Sequence, residues 1–146
     1  MSSTTKTSAM MIFEILGKPP EHLVTTLKEI IKKLGEEPGV EVKMQKIKEP
    51  AILKDNKELY TTFAEIEIEV DLLPKMIAIM FKYMPAHVEI FEPENLQISN
   101  NHLNEFFNEL ARRLHKYDEV VRVLQAEKNI LEKKLKDLMD KKEIKD

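Results

Sequence analysis

The pattern of apolar and polar residues changes from one segment of this chain to the next, and each pattern predicts a different element. In residues 61–70, TTFAEIEIEV, glutamate alternates with isoleucine or valine, which is the period of a strand with one buried face. In residues 23–34 leucine and isoleucine recur every three or four positions, as in an amphipathic helix. From residue 103 onward apolar residues recur every seven positions, which is typical of a coiled coil.

The segment up to residue 95 contains six predicted elements in the order strand, helix, strand, strand, helix, strand. The strands are residues 10–16, 40–47, 60–70 and 86–92, and the helices lie between Pro20 and Gly35 and between Asp71 and Pro85. This order is that of the ferredoxin-like α+β fold, in which two helices cover one face of a four-stranded antiparallel sheet. We therefore predict a ferredoxin-like domain over residues 10–95, preceded by a disordered tail over residues 1–9.

Residues 99–142 contain neither proline nor glycine and are predicted to form one long C-terminal coiled-coil helix, with a frayed end over residues 143–146. Ser99, Asn100 or Asn101 is suited to cap its start. Two seven-residue series alternate at spacings of three and four, and they correspond to heptad positions a and d. The predicted coiled-coil interface consists of Leu110, Leu114, Tyr117, Val121, Leu124, Lys128, Leu131, Leu135 and Leu138.

The side chains at this interface favour self-association as a homodimer. Leucine dominates position d, and Lys128 at position a favours a parallel pair, because the long lysine side chain carries its ammonium group out to solvent. In such a pair Arg113 would meet Asp118 of the partner helix, whereas Glu127 would meet Glu132, which is repulsive. An antiparallel pair, a different coiled-coil partner and a helix folded back on its own sheet therefore stay open.

Composition narrows the class of protein. With 42% apolar and 34% charged residues, the chain is too apolar for a disordered protein and too charged for a membrane protein. Its longest apolar run, residues 76–81, is far shorter than the roughly 20 residues that a membrane-spanning helix needs. The absence of cysteine excludes disulfides, thiol catalysis and cysteine-ligated metals. Because the N-terminus also differs from a secretory signal, we expect a cytoplasmic protein.

The distribution of charge argues against nucleic-acid and membrane binding. The net charge is −3, and acidic residues outnumber basic ones in the first hundred positions. Since nucleic-acid binding depends on neutralising phosphate groups, an acidic domain disfavours it. The lysine-rich C-terminal end is interleaved with Asp137, Asp140 and Glu143, which indicates a solvated helix end.

Alternation in the predicted strands places acidic and aromatic side chains together on the sheet face away from the helices. This cluster consists of Glu14, Phe63, Glu65, Glu67, Glu69, His87, Glu89 and Phe91. Carboxylates and an imidazole on neighbouring strands can bind a divalent cation or transfer protons. Same-face residues of one strand lie roughly 6.5–7 Å apart, however, so three glutamates of one strand cannot surround a small ion. We interpret the cluster as a face for solvent or a protein partner.

The sequence contains no glycine-rich nucleotide-binding motif, no H-E-x-x-H motif and no histidine pair at metal-ligand spacing. We therefore predict a non-enzymatic interaction module without a catalytic residue, metal or cofactor. It self-associates through its coiled coil and presents the sheet face to a partner. Two alternatives remain: a regulatory domain that binds a small molecule, as some ferredoxin-like domains do, and a nucleic-acid-associated factor that uses the lysines around the second strand.

Overall fold

The computed structural model describes residues 6–145, which form two compact units. The first unit ends at Ile98 and the second begins at Ser99. Residues 1–5 of the predicted tail lie outside the described part of the chain. Residues 7–9, which the sequence pattern assigns to the same tail, instead belong to the first strand.

Among the described residues up to Ile98, the chain forms five strands and two helices. These are β1 (Thr7–Gly17), α1 (Pro20–Glu36), β2 (Val40–Ile47), β3 (Ala51–Ile52), β4 (Tyr60–Val70), α2 (Leu73–Tyr83) and β5 (His87–Glu92). The main sheet has the strand order β2-β4-β1-β5, and β3 pairs with β4. All pairs are antiparallel. This is the strand order of the ferredoxin-like fold, so the predicted fold class is confirmed.

The central strands β1 and β4 pair along their whole length, from Thr7 opposite Val70 to Gly17 opposite Tyr60. Thr7 and Ala9 lie in this paired segment and are fully buried. Their burial explains why β1 begins earlier than its first methionine, Met10, where the run of large apolar residues starts. The sequence pattern does not reveal this start, because Thr7 and Ser8 are polar and lie outside the apolar run.

The core lies between the sheet and the two helices. Side chains of β1 and β4 alternate between buried and more exposed positions, as the period of a strand requires. The core cluster comprises Ala9, Met11, Phe13, Leu27, Ile31, Leu34, Ala64, Ile66, Ile68, Val70, Met76 and Ile79. Burial of these apolar side chains, at about 25 cal/mol per Å², is the main contribution that holds the helices on the sheet.

A β-bulge at Lys43 changes the orientation of the second half of β2. Val42 lies opposite Ile68 and Met44 lies opposite Glu67, so that Lys43 is an extra residue. The extra residue shifts the alternation by one position. The pattern VEVKM predicts Val42 and Met44 on the same side of the sheet, and this prediction is wrong for Met44.

The short strand β3 lies within residues 48–58, which the sequence pattern predicts as a charged loop. Ala51 pairs with Thr61 and Ile52 pairs with Tyr60. The backbone N–H of Leu53 donates a hydrogen bond to the carbonyl of Leu59 at 2.9 Å and closes the connection to β4. Two residues are too few to show a period, which is why the sequence does not reveal this strand.

Gly39 occupies a turn that a larger residue would not fit. Its φ is 74°, and a Cβ at this position would overlap with the side chains of Asp71 and Lys75. Asp71 and Lys75 form an ion pair of 2.9 Å at the start of α2, so the turn before β2 packs against that helix. Gly35, predicted to terminate α1, lies inside the helix, which continues to Glu36.

Glu37 connects the end of α1 to the end of α2. Its carboxylate Oε1 accepts hydrogen bonds from Lys82 Nζ and from the Tyr83 hydroxyl, the latter at 2.6 Å. These two hydrogen bonds, that from Lys82 first, hold the pKa of Glu37 below its ordinary value of 4.5. The carboxylate therefore stabilises the contact between the two helices while it is ionised.

The second unit contains α3 (Asn100–Lys145), a single helix of 46 residues. The hydroxyl of Ser99 accepts a hydrogen bond from the backbone N–H of His102 at 3.2 Å, as expected of a residue that caps a helix start. The helix continues beyond the end predicted at residue 142. No helix in residues 6–145 combines the length and apolar character required to cross a bilayer.

Leu27→Ala should lower the free energy of unfolding by about 2–5 kcal/mol, because Leu27 is fully buried and its removal leaves a cavity under α1. Lys28→Ala, at the next and exposed position, is the matched control and should change stability by less than about 0.5 kcal/mol. Urea unfolding followed by circular dichroism measures both. Equal losses in the two variants would contradict the described core.

Glu37→Gln should destabilise the protein at pH 7, with the difference from the wild type shrinking as the pH falls. A carboxylate whose folded pKa is depressed stabilises the fold above its unfolded pKa, and this stabilisation is lost as the pH falls through the folded value. Thermal unfolding between pH 3 and 7 measures the effect. The neighbouring exposed Glu36→Gln is the control, and a pH-independent difference for Glu37→Gln would contradict the described contact.

Candidate interaction surfaces

The sheet surface opposite the helices, called the outer face below, is organised in three rows that run across the strands. Each row follows the residue pairs from β2 through β4 and β1 to β5. The rows are Lys46, Glu65, Ile12 and His87; Met44, Glu67, Met10 and Glu89; and Glu41, Glu69, Ser8 and Glu92. The predicted sheet-face residues of β4 and the predicted His87 and Glu89 of β5 therefore lie on one surface.

The third row forms an acidic end of the outer face. Glu41 and Glu69 lie directly opposite each other, an arrangement that is repulsive by itself. Lys6 Nζ lies 3.1 Å from Glu69 and Lys43 Nζ lies 3.1 Å from Glu41, so each carboxylate has a cation of its own. The hydrogen bond to Glu69 also raises the pKa of Lys6. The bulge that displaces Met44 thus places a lysine beside the acidic row.

The central glutamates are separated by apolar neighbours. Glu67 lies between Met44 and Met10 across the strands, and both Glu65 and Glu67 are half-buried on this face. Within residues 6–145, no three histidine, aspartate or glutamate side chains are grouped closely enough to hold a metal ion. The arrangement suits a partner that offers a basic group between two apolar contacts.

The opposite end of the outer face is more apolar. Glu14 lies opposite the half-buried Phe63, and Leu16 beyond it is exposed. On β5, His87 Nε2 lies 3.7 Å from Glu89 Oε2. Phe91, in contrast, lies at the acidic end, between Glu89 and Glu92, where the pairing of β5 with β1 shifts register, and its side chain is 51% exposed. The outer face is therefore graded, with the acidic third row at one end and Phe63 and Leu16 at the other.

The predicted coiled-coil residues form an apolar stripe on α3, called the leucine seam below. It consists of Leu110, Leu114, Tyr117, Val121, Leu124, Lys128, Leu131, Leu135 and Leu138. Leu110 is half-buried, whereas all the others are exposed, with Leu131 and Leu138 at 65%. In the single chain, no residue described along α3 is fully buried. This helix thus carries a long apolar surface in contact with water.

Ion pairs between side chains three or four residues apart stabilise α3 itself. Glu109 accepts hydrogen bonds from Arg112 at 2.6 and 2.9 Å and from Arg113 at 2.6 Å. These bonds, those from Arg112 first, lower the pKa of Glu109 to about 2. Pairs at such spacings stabilise a helix only weakly, because the groups are exposed to solvent. They are local, and they leave the leucine seam uncovered.

Two features of the folded chain are not predicted by the strand and coiled-coil periods of the sequence. The contact of Glu37 with Lys82 and Tyr83 joins residues that are distant in sequence, so no local pattern predicts it. A second row of exposed apolar residues on α3, Val120, Val123 and Ile130, lies beside the leucine seam. Its signal is present in the sequence, since Val123 and Ile130 are seven residues apart, but it is masked by the stronger leucine repeat.

A cleft of about 700 Å³ lies between α1 and β2, which is an edge strand of the sheet. Ile31, Val42 and Ile47 contribute apolar walls, and Lys28 and Lys32 line it from α1. A small molecule with an anionic group would match this lining. The cleft is open to solvent, and Met44 of the outer face also contributes to its lining.

Comparison with known proteins places the chain in a family. Neither the curated proteins nor the solved structures contain a match. The model of the MJ0538 family matches residues 8–146, a range that includes α3 and all of the sheet except Thr7, the first residue of β1. By this match, the chain belongs to the MJ0538 family.

Proposed function

We propose that this protein is a non-enzymatic assembly module, which self-associates through the leucine seam of α3 and offers the outer face to a protein partner. The leucine seam is the observation that carries the proposal. Large apolar side chains recur along it at spacings of three and four from Leu114 to Leu138, interrupted once by Lys128, and they are exposed in the single chain. Such a repeat on a helix is typical of packing against another helix.

Burial of the leucine seam would contribute a large free energy of association. Burying one leucine side chain contributes about 1.5–3 kcal/mol, and the seam contains several. The local ion pairs of α3 are much weaker, so burial of the seam would dominate the stability of the assembled helix. Lys128 interrupts the seam and favours small assemblies over larger apolar aggregates, because its ammonium group must remain solvated.

The outer face is suited to a partner of mixed character. Glu65 and Glu67 lie among Met10, Ile12 and Phe63, so a basic side chain with apolar neighbours would be complementary to it. Charged pairs at such a surface contribute mainly to the choice of partner and to the association rate. The apolar side chains supply most of the affinity when they are buried.

Replacing Leu124 and Leu131 together by glutamate should abolish self-association, because two carboxylates would be buried in the seam. Light scattering after gel filtration should give a multiple of the 17.1 kDa chain mass for the wild type and the mass of one chain for this variant. The matched control adds two carboxylates on the polar side of α3, Ala126→Glu and Asn129→Glu, and should assemble normally. A monomeric wild type, or an unchanged seam variant, would refute self-association through the seam.

Reversing the charge of Glu65 and Glu67 to lysine should remove partner binding while leaving the assembly intact. Both carboxylates are half-buried on the outer face, where the reversed charge would repel a basic partner, whereas the proposed assembly surface is the leucine seam of α3. Proteins retained from an extract of the native cell by the wild type and by this variant are compared by mass spectrometry. Glu29→Lys with Glu36→Lys on the exposed side of α1 is the control. Identical retention by all three would count against a role for the outer face.

A further inference from the structure

The second apolar row of α3, formed by Val120, Val123 and Ile130, is exposed to much the same extent as the leucine seam. The exposed fractions are 47%, 51% and 55%. In the heptad that places Leu124 at position d, these residues occupy positions g and c. The ion pair of Arg122 with Asp118, with Nε and Oδ2 at 2.9 Å, lies on the remaining, polar side of the helix. Between residues 117 and 131, α3 therefore has two apolar stripes.

The angle between these stripes indicates how many helices pack together. With about 100° of rotation per residue, the centre of the c and g positions lies roughly 100–110° around the helix from the centre of a and d. A pair of helices that meets along the leucine seam leaves the second row in water. In a four-helix bundle each helix has two neighbours at about a right angle, so both stripes are covered.

The charges that flank the second row show the direction of the neighbour that covers it. Lys116 precedes Val120 by four residues, Val123 follows Val120 by three, and Glu127 follows Val123 by four. This spacing is symmetrical about the point between the two valines. In an antiparallel pair centred there, Val120 of each copy lies against Val123 of the other, and Lys116 of each copy lies against Glu127 of the other. A parallel copy would place Lys116 against Lys116 and Glu127 against Glu127, which is repulsive.

Antiparallel pairing centred at nearly the same point along the helix also suits the leucine seam. It places Val121 against Leu124 and Leu114 against Leu131, and it keeps Lys128 away from the Lys128 of the other copy. This point coincides with the middle of α3, which extends from Asn100 to Lys145, so the paired helices overlap along their full length. An antiparallel pair related by a two-fold axis presents both of its second rows on one side, where another pair can dock.

From these observations we infer that four copies of α3 form an antiparallel four-helix bundle, with pairs closed along the leucine seam and joined through the second apolar row. The inference rests on the proposed self-association and specifies its partners as three further copies of this chain. All contacts are reciprocal between identical surfaces, which closes the assembly and leaves no free apolar stripe between residues 117 and 131.

Light scattering on the full chain tests this assembly. The wild type should have four times the 17.1 kDa chain mass. Val120→Lys with Val123→Lys should reduce this mass to that of two chains, because the lysines disrupt only the second row. The matched control, Ala126→Lys with Asn129→Lys, adds the same charge at the same spacing on the polar side and should remain at four.

The outcomes separate this inference from the proposed self-association. A wild-type mass of one chain would overturn both. A mass of two or three chains would leave self-association standing and overturn the four-helix bundle. A mass of four that persists in the Val120 and Val123 variant would overturn the role of the second row.

Disulfide trapping tests the direction of the helices, since the natural chain has no cysteine. Chains carrying Lys116→Cys and chains carrying Glu127→Cys are coexpressed and oxidised. The antiparallel bundle predicts the mixed disulfide, because identical positions would be about 16 Å apart along the axis. Predominance of disulfides between identical positions would show parallel helices and overturn the inference.

Discussion

The antiparallel pairing of β1 with β4 is the interaction on which both sides of the sheet depend. It aligns Ala9 with Ile68 and Met11 with Ile66 towards the helices, and it sets Met10 beside Glu67 on the outer face. Because side chains alternate along a strand, a slip of one residue would exchange these two surfaces completely. The buried core and the graded outer face are therefore two consequences of one register.

The helix α3 obeys a different constraint. Its local ion pairs, such as Glu109 with Arg112, support helical backbone but cover no apolar surface. Leu124 and Val123 remain in contact with water in the single chain. Apolar surface of this extent is typical of an interface. Packing of the leucine seam and the second row against other helices would remove this apolar surface from water. The symmetrical placement of charges around the point between Val120 and Val123 favours identical copies as the partners.

Longer-range packing accounts for the places where the sequence pattern and the structure differ. The bulge at Lys43 leaves the composition of β2 unchanged yet turns Met44 to the outer face. Glu37 lies in a turn, and only the folded chain brings Lys82 and Tyr83 to its carboxylate. Strand β3 is formed by its pairing with the first residues of β4. None of these follows from a local period, because each depends on a partner that is distant in sequence.

The sequence by itself determined the order of the helices and the four longer strands, the fold class, the glutamate side of β4 and the leucine repeat of α3. These features follow from periods of two, three to four, and seven residues, and a period belongs to the chain alone. Only the tertiary structure decided the rows across the outer face, the early start of β1 and the partners of Glu37. Those depend on the register between strands and on contacts between helices, which are set by the packing of the whole core and not by any one segment.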